Sequence, residues 1–203
     1  MATTYSVVGT SVTRDEGPDK VSGGAKYPAD MAVPGTLSGK ILRSPFPHAR
    51  IISIDTSKAR AFPGVHAVLT GADLPDRPVG RLLRDCPVLA RDRVRFVGEK
   101  VAAVAADTVE AAEEALLLID VEYKEIEAVF DSSEAMEDSA PSLHPDKADY
   151  LGLPKPASEI NNVLAENHWA KGGVDQGFSE SDLIFEHTFN AQLMHQAYIE
   201  PHA

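Results

Sequence analysis

The stretch Val101-Ala-Ala-Val-Ala-Ala106 constrains the fold more than any other part of the chain. A strand sends alternate side chains to opposite faces, so an unbroken apolar run asks for cover on both of them. Asp107-Thr-Val-Glu110 follows directly and reads as a helix start: the Asp107 side chain can accept from first-turn amides while Glu110 reaches back. Beyond it Val109, Ala112, Leu116 and Ile119 recur at helical spacing on one face, with Glu110, Glu113 and Glu114 turned largely away. An apolar strand leading into an amphipathic helix predicts a mixed α+β domain.

The flanking residues supply further elements. Leu37 to Arg43 and Ala49 to Ile54 read as strands, split by Ser44-Pro45-Phe46-Pro47, whose two prolines break any ladder. Asp55-Thr56-Ser57 offers cap oxygens to a short helix over Lys58 to Ala61, which Pro63-Gly64 ends. Val65 to Thr70 is the next strand and Gly71 stops it. Residues 71–92, rich in Pro, Gly, Asp and Arg, read as a long loop, and Val94 to Val97 as a strand before Gly98. Val121 to Val129 alternates, with Val121, Tyr123, Glu125, Glu127 and Val129 on one face. Residues 131–162 carry four prolines, many acids and little periodicity, and read as a linker. A strand signal resumes at Val163, a helical turn spans Val174 to Ser181, and Leu183 to Phe189 reads as a strand. Residues 1–20 are polar and expected to be extended. The end at Ile199-Glu-Pro-His-Ala203 cuts into a further segment, which predicts a truncated piece or a split gene.

Composition narrows the function. A net charge of -12 repels phosphate backbones and argues against nucleic acid as a partner. Against that balance Arg77, Arg81, Arg84, Arg91, Arg93 and Arg95 crowd one stretch, either as a solvated surface or as a contact for an acidic partner. Cys86 is the only cysteine, so the chain forms no internal disulfide and cannot supply the four thiolates of an iron–sulfur cluster. With no leader segment and no apolar stretch of spanning length, the expected location is the cytoplasm, with no membrane partner. Gly23-Gly24 and Gly172-Gly173 lack the strand–turn–helix setting of a dinucleotide fingerprint, and no hydrolase elbow or phosphate loop occurs. Of the seven histidines, only His195 and His202, near Glu200, form a suggestive group; its plain reading is a polar turn with satisfied side chains.

The order of motifs says more than any single one. Gly17-Pro-Asp-Lys-Val-Ser-Gly-Gly-Ala-Lys-Tyr-Pro-Ala-Asp30 is followed by Pro34-Gly-Thr-Leu-Ser-Gly-Lys-Ile-Leu-Arg-Ser-Pro45 and His48-Ala-Arg-Ile-Ile-Ser-Ile-Asp55. Pro63-Gly-Val-His-Ala-Val-Leu-Thr70, Pro87-Val-Leu-Ala90, Val94-Arg-Phe-Val-Gly-Glu-Lys-Val101, Ala112-Glu-Glu-Ala115 and Val121-Glu-Tyr123 continue in order. This collinear series resembles the molybdopterin-binding subunit of the xanthine dehydrogenase/aldehyde oxidase family, the molybdenum hydroxylases. The resemblance implies an N-terminal extension over 1–16, an α/β-hammerhead domain over 17–130, a linker over 131–162 and the start of a molybdopterin-binding domain over 163–203. In the tail, Gly173-Val-Asp-Gln-Gly-Phe-Ser-Glu-Ser-Asp182 resembles the turn that opens that domain. Gln192, His195 and Glu200-Pro201 resemble a Gln…His…Glu-Pro segment expected to support the cofactor domain or line the substrate path.

The complete enzyme is thereby expected to hydroxylate an aldehyde or N-heterocycle with water as the oxygen source. Molybdenum-molybdopterin would be its cofactor, with 2Fe-2S and FAD on neighbouring domains or subunits. The family's glycine-rich segment and its basic glutamate do not occur in these residues, so no catalytic, cofactor-binding or metal-ligating residue is expected among them. The alternative is a non-catalytic assembly module that reuses the hammerhead fold.

Overall fold

Small side chains let the central strand be covered closely. In the computed structural model, which describes residues 6–31, 33–81, 83–153 and 161–195, Lys100–Ala106 forms strand β5. It lies between β1 (Ser38–Arg43) and β3 (Val65–Thr70), antiparallel to both. Helix α3 (Val109–Leu116) returns over this sheet, and Ala102 and Ala106 of the strand and Ala112 and Ala115 of the helix have no exposed surface. Val68, Val104, Ile119 and Ala59 complete the cluster, the last from the short helix α2 (Ser57–Arg60). A second sheet has the order β4-β2-β6, built from Arg93–Val94, Ala49–Asp55 and Asp120–Glu125. Its inner face gathers Ala49, Ala90, Val94 and Val101 against Phe46, Ile51 and Tyr123.

Three register shifts shape these sheets. The pairing of β1 with β5 skips Val101, which turns into the second cluster while Ala102, Val104 and Ala106 face the first. The expected double cover of β5 is therefore uneven: its helix-facing side is buried, but on the other side Ala103 and Ala105 stay half-buried. In β3 the skipped residue is His66, and in β2 it is Ile52.

Three expectations on element ends give way to local hydrogen bonds. The cap of α3 is Thr108, whose hydroxyl accepts from Ala111 N–H at 3.1 Å. Asp107 instead meets the bulged His66, Oδ1 to Nε2 at 2.7 Å, and Glu110 then sits one position short of a capping box. The strand expected over Val94 to Val97 stops at Val94, because Arg95 N–H donates to the Glu99 carboxylate at 2.5 Å and Gly98 turns the chain at φ 90°. The strand expected to run to Val129 ends at Glu125: Ile126 N–H still reaches the His48 carbonyl, but the Glu127 carbonyl is met by the His48 ring, at 2.6 Å. Val163 and Leu183 to Phe189 pair with no strand among the described residues. Gly71 ends β3 as expected, since a Cβ there would lie 2.6 Å from the Ala90 carbonyl oxygen.

Two compact units emerge, residues 37–184 and residues 1–36 with 185–203. In the second, Gly17–Ser22 is a short helix, α1, rather than extended chain; Pro18 sits in its first turn and Gly23 closes it at φ 74°. In the first unit, residues 135–143 and 162 are held by side-chain bonds to the backbone. Arg95 donates to Leu143 at 3.0 Å, and Asn162 donates to Ala135 and Pro141 while accepting from Leu143 N–H. Helix α4 (Val174–Glu180) buries no residue.

Removing the cap hydroxyl in Thr108→Ala is expected to cost about 1 kcal/mol of stability in urea unfolding. An unchanged midpoint would strip Thr108 of that role. Ala112→Leu, which drives a large side chain into the α3–β5 contact, is expected to cost about 1–3 kcal/mol.

Candidate functional site

The residues singled out in the tail fall only partly within the described residues. Gln192 lies on exposed extended chain and donates to Met194 Sδ at 3.3 Å, and His195 lies in the same exposed stretch. Glu200 and His202 fall outside the described residues. Leu183, Ile184, Phe185, Phe189, Leu193 and Met194 are all more than half exposed. Other histidines serve the fold: His48 is buried with Nδ1 on the Glu127 carbonyl, and His66 pairs with Asp107. Because a carbonyl only accepts, Nδ1 of His48 carries a proton there.

Of the arginine stretch, Arg91, Arg93 and Arg95 border one recess together with Asp76, Asp85 and Asp92. Arg91 donates to the Leu74 carbonyl and lies 3.6 Å from Asp76, and Arg95 anchors the 141–143 segment through Leu143. Arg93 reaches toward Ser142 O at 3.5 Å. Cys86 bridges to Val79 through the backbone, and partial burial, with Asp85 nearby, pushes its thiol up from the ordinary value.

Where residues 144–150 and 162–164 meet Leu83 and Asp85, they line a cavity that the sequence did not announce. It measures about 200 Å³ and is lined by Leu83, Asp85, His144, Lys147, Tyr150 and Asn162, with Val163 and Leu164. His144 Nδ1 and the Tyr150 hydroxyl lie 2.9 Å apart, and the rings meet edge to face. Lys147 Nζ donates to the Val163 carbonyl at 3.1 Å. Burial, with Arg95 nearby, holds the His144 imidazole below its ordinary pKa, and burial raises the Tyr150 phenol. The pair is thus a neutral imidazole beside a neutral phenol, able to exchange a proton or orient a small polar group. Its organiser is Asn162, in the left-handed region at φ 59°, which asparagine tolerates better than most residues. Residues 144 and 162 are far apart in sequence, and no periodicity links them.

Among the described residues no three His, Cys, Asp or Glu side chains come together as a metal site. No helix of these residues is long and apolar enough to cross a membrane. What the geometry defines is an α+β domain, a helix on one sheet and a second sheet beside it.

Residues 22–127 match the family described as aldehyde oxidase and xanthine dehydrogenase, a/b hammerhead domain. The chain belongs to that family, the molybdenum hydroxylases. It is 42% identical over 191 residues to a probable xanthine dehydrogenase subunit of Bacillus subtilis (strain 168), covering 94% of this chain and 24% of that protein. It is 36% identical over 204 residues to the nicotinate dehydrogenase large molybdopterin subunit of Eubacterium barkeri, covering 100% of this chain and 45% of the relative. Among solved structures, reconstituted CO dehydrogenase from Oligotropha carboxidovorans is 40% identical with a TM-score of 0.62, over 68% of this chain and 18% of that one. The chain therefore spans less than half the length of these relatives.

Two measurements check the site. The folded chain resists protonating His144 while the unfolded chain does not, so unfolded molecules bind more protons below about pH 6.5 and stability falls as pH drops through that value. Urea unfolding of His144→Gln is expected to lose less stability than the wild type between about pH 7 and 5; an equal loss would refute the buried neutral imidazole. Residues 183–194 donate no backbone hydrogen bond among the described residues, so their amides should exchange with deuterium far faster than those of β5. Comparable protection would overturn this picture of the tail.

Proposed function

We propose that this chain forms part of the molybdopterin-binding subunit of an oxidoreductase that hydroxylates an aldehyde or N-heterocycle, with water as the oxygen source. Its role there is that of a scaffold, and the reacting groups lie elsewhere. The observation that carries this reading is identity to a large molybdopterin subunit over 100% of the chain, at 36%. One face of the fold supports it. Cross-strand pairing places Ile41, Ala103 and Leu69 in one row on the side of the first sheet away from α3. Ile41 and Leu69 remain 37% and 41% exposed, a surface suited to packing against the remainder of a larger subunit.

In this reading residues 17–130 are the hammerhead, 131–162 the connection and 163–203 the opening of the molybdopterin-binding domain. Gln192, His195 and Glu200 support that domain or line the substrate path. The described donor set does not fit a metal-bearing pterin: Nδ1 of the buried His48 is taken by a backbone carbonyl, the exposed His66 pairs with Asp107, and no three His, Cys, Asp or Glu side chains come together among the described residues. We therefore assign no catalytic step to these residues. Iron–sulfur and FAD subunits or domains are its proposed neighbours, and the cytoplasm its proposed place.

Assaying the pure chain with aldehydes, purines and N-heterocycles and a dye acceptor is expected to give no oxidation. The complex purified with its neighbouring subunits is expected to oxidise one of these classes and to contain molybdenum. Robust turnover by the pure chain, or an active complex free of molybdenum, would overturn the proposal.

A further inference from the structure

The second sheet carries an unusual outer face. In register, Arg50 of β2 lies directly opposite Arg93 of β4 on one side and Lys124 of β6 on the other. Directly opposed residues of antiparallel strands share a face, so the three cations stand in one row across three adjacent strands. That row is on the side away from the core, since the neighbouring Ala49 and Val94 are buried while Arg50 and Lys124 are exposed. Like charges set opposite one another repel, and strand neighbours are only about 5 Å apart. Even so, none of the three has an ion-pair partner among the described residues. Arg93 reaches only the Ser142 carbonyl, at 3.5 Å. The contrast with the rest of the surface is sharp, because the chain carries a net charge of -12.

The row borders a recess of about 700 Å³. Its apolar walls include Ile52, Ile126, Pro141 and Pro145, and Ile52, the residue skipped by the β2–β6 register, is 54% exposed. His48 also lines it, with Nε2 buried and lacking any hydrogen-bond partner among the described residues, and so does one carboxylate, Glu125. Arginine and lysine beside exposed apolar side chains make a surface on which a partner can bury area and pair charge at once.

We propose that the outer face of this sheet docks an acidic segment of a partner protein, its carboxylates spanning Arg93, Arg50 and Lys124 and its apolar side chains resting on Ile52 and the two prolines. The repulsion within the row is relieved when the segment binds. This inference stands apart from the hydroxylase reading, which does not use the face.

The test uses the full chain and an acetylated hexaglutamate peptide as the probe. Amide shifts in the NMR spectrum are expected to change along β2, β4 and β6, and binding is expected to weaken as salt is raised. Arg50→Glu with Lys124→Glu is expected to weaken binding by at least about tenfold. Its melting temperature should be maintained, because the new carboxylate at position 50 faces Arg93 in place of a like charge, while positions 50 and 124 stay a like-charged pair as before. Shifts centred on the arginines of the 77–91 loop, or equal binding by the folded double variant, would overturn the proposal. Tighter binding of inorganic pyrophosphate than of the peptide at the same residues would overturn it as well, reassigning the face to a phosphate-bearing small molecule.

Discussion

The fold depends on a contact between alanines. Ala102 and Ala106 of β5 meet Ala112 and Ala115 of α3, and all four are fully buried. Short side chains on both elements bring the helix axis close to the sheet, which lets an eight-residue helix cover a three-stranded sheet. A helix this short is not stable by propensity alone, so it exists because the sheet is there to receive it. The same closeness leaves no slack for volume. It also fixes the polar rim: Lys40, in register with Val104 and so on the helix side, pairs with Glu113 at 2.6 Å.

One strand also has to feed two cores, and the register shift at Val101 resolves that conflict. An unbroken strand of alternating faces would leave Val101 beside Ala103 on the side away from α3; the extra residue turns it into the second cluster. At the other end of the first sheet, the shift at His66 swings that ring onto Asp107, tying the start of β3 to the residue just before α3. Both devices are single residues, and both lie where one layer hands over to the next.

These devices explain what was legible in the sequence. Among the described residues, the six strands, three of the four helices and the α+β class could be read from periodicity and from Pro and Gly punctuation, because those signals are local. Three of the errors share one cause. Asp107 is as good a cap as Thr108 on sequence grounds, but a histidine 41 positions away claims it. Arg95 to Val97 have strand propensity, but a buried carboxylate at Glu99 takes the amide the ladder needed. Residues 126–129 alternate as a strand should, but a ring nitrogen from the residue just before β2 occupies the acceptor. In each case a side chain competes for a backbone group, and nothing in the local pattern records the competitor. The cavity around His144 and Tyr150 was hidden for the same reason, since Asn162 closes it from 18 residues beyond His144. Of the tail residues chosen on resemblance, Gln192 and His195 lie on exposed chain, and Glu200 falls outside the described residues.

The two sheets divide the surface by chemistry, and this follows from their cores. Each sheet must turn one face inward, so each has one face left over. On the first sheet the leftover face repeats the inner one in kind, with Ile41, Ala103, Leu69 and Ala105, because β5 is apolar at every position after Lys100. On the second sheet the strands alternate strictly at Ala49-Arg50 and at Tyr123-Lys124, so one end of the leftover face is cationic, with Glu122, Asp120 and Asp55 further along it. Neither face contributes to holding the domain together. An apolar row costs solubility and a row of like charges costs strand pairing, so both features point outward, to surfaces that are completed by something else. Polar groups that lie inside, such as Glu99, Thr70 and the Nδ1 of His48, are already matched to backbone or side-chain partners. These inner polar groups serve the domain's closure, and the two leftover faces are what it presents outward.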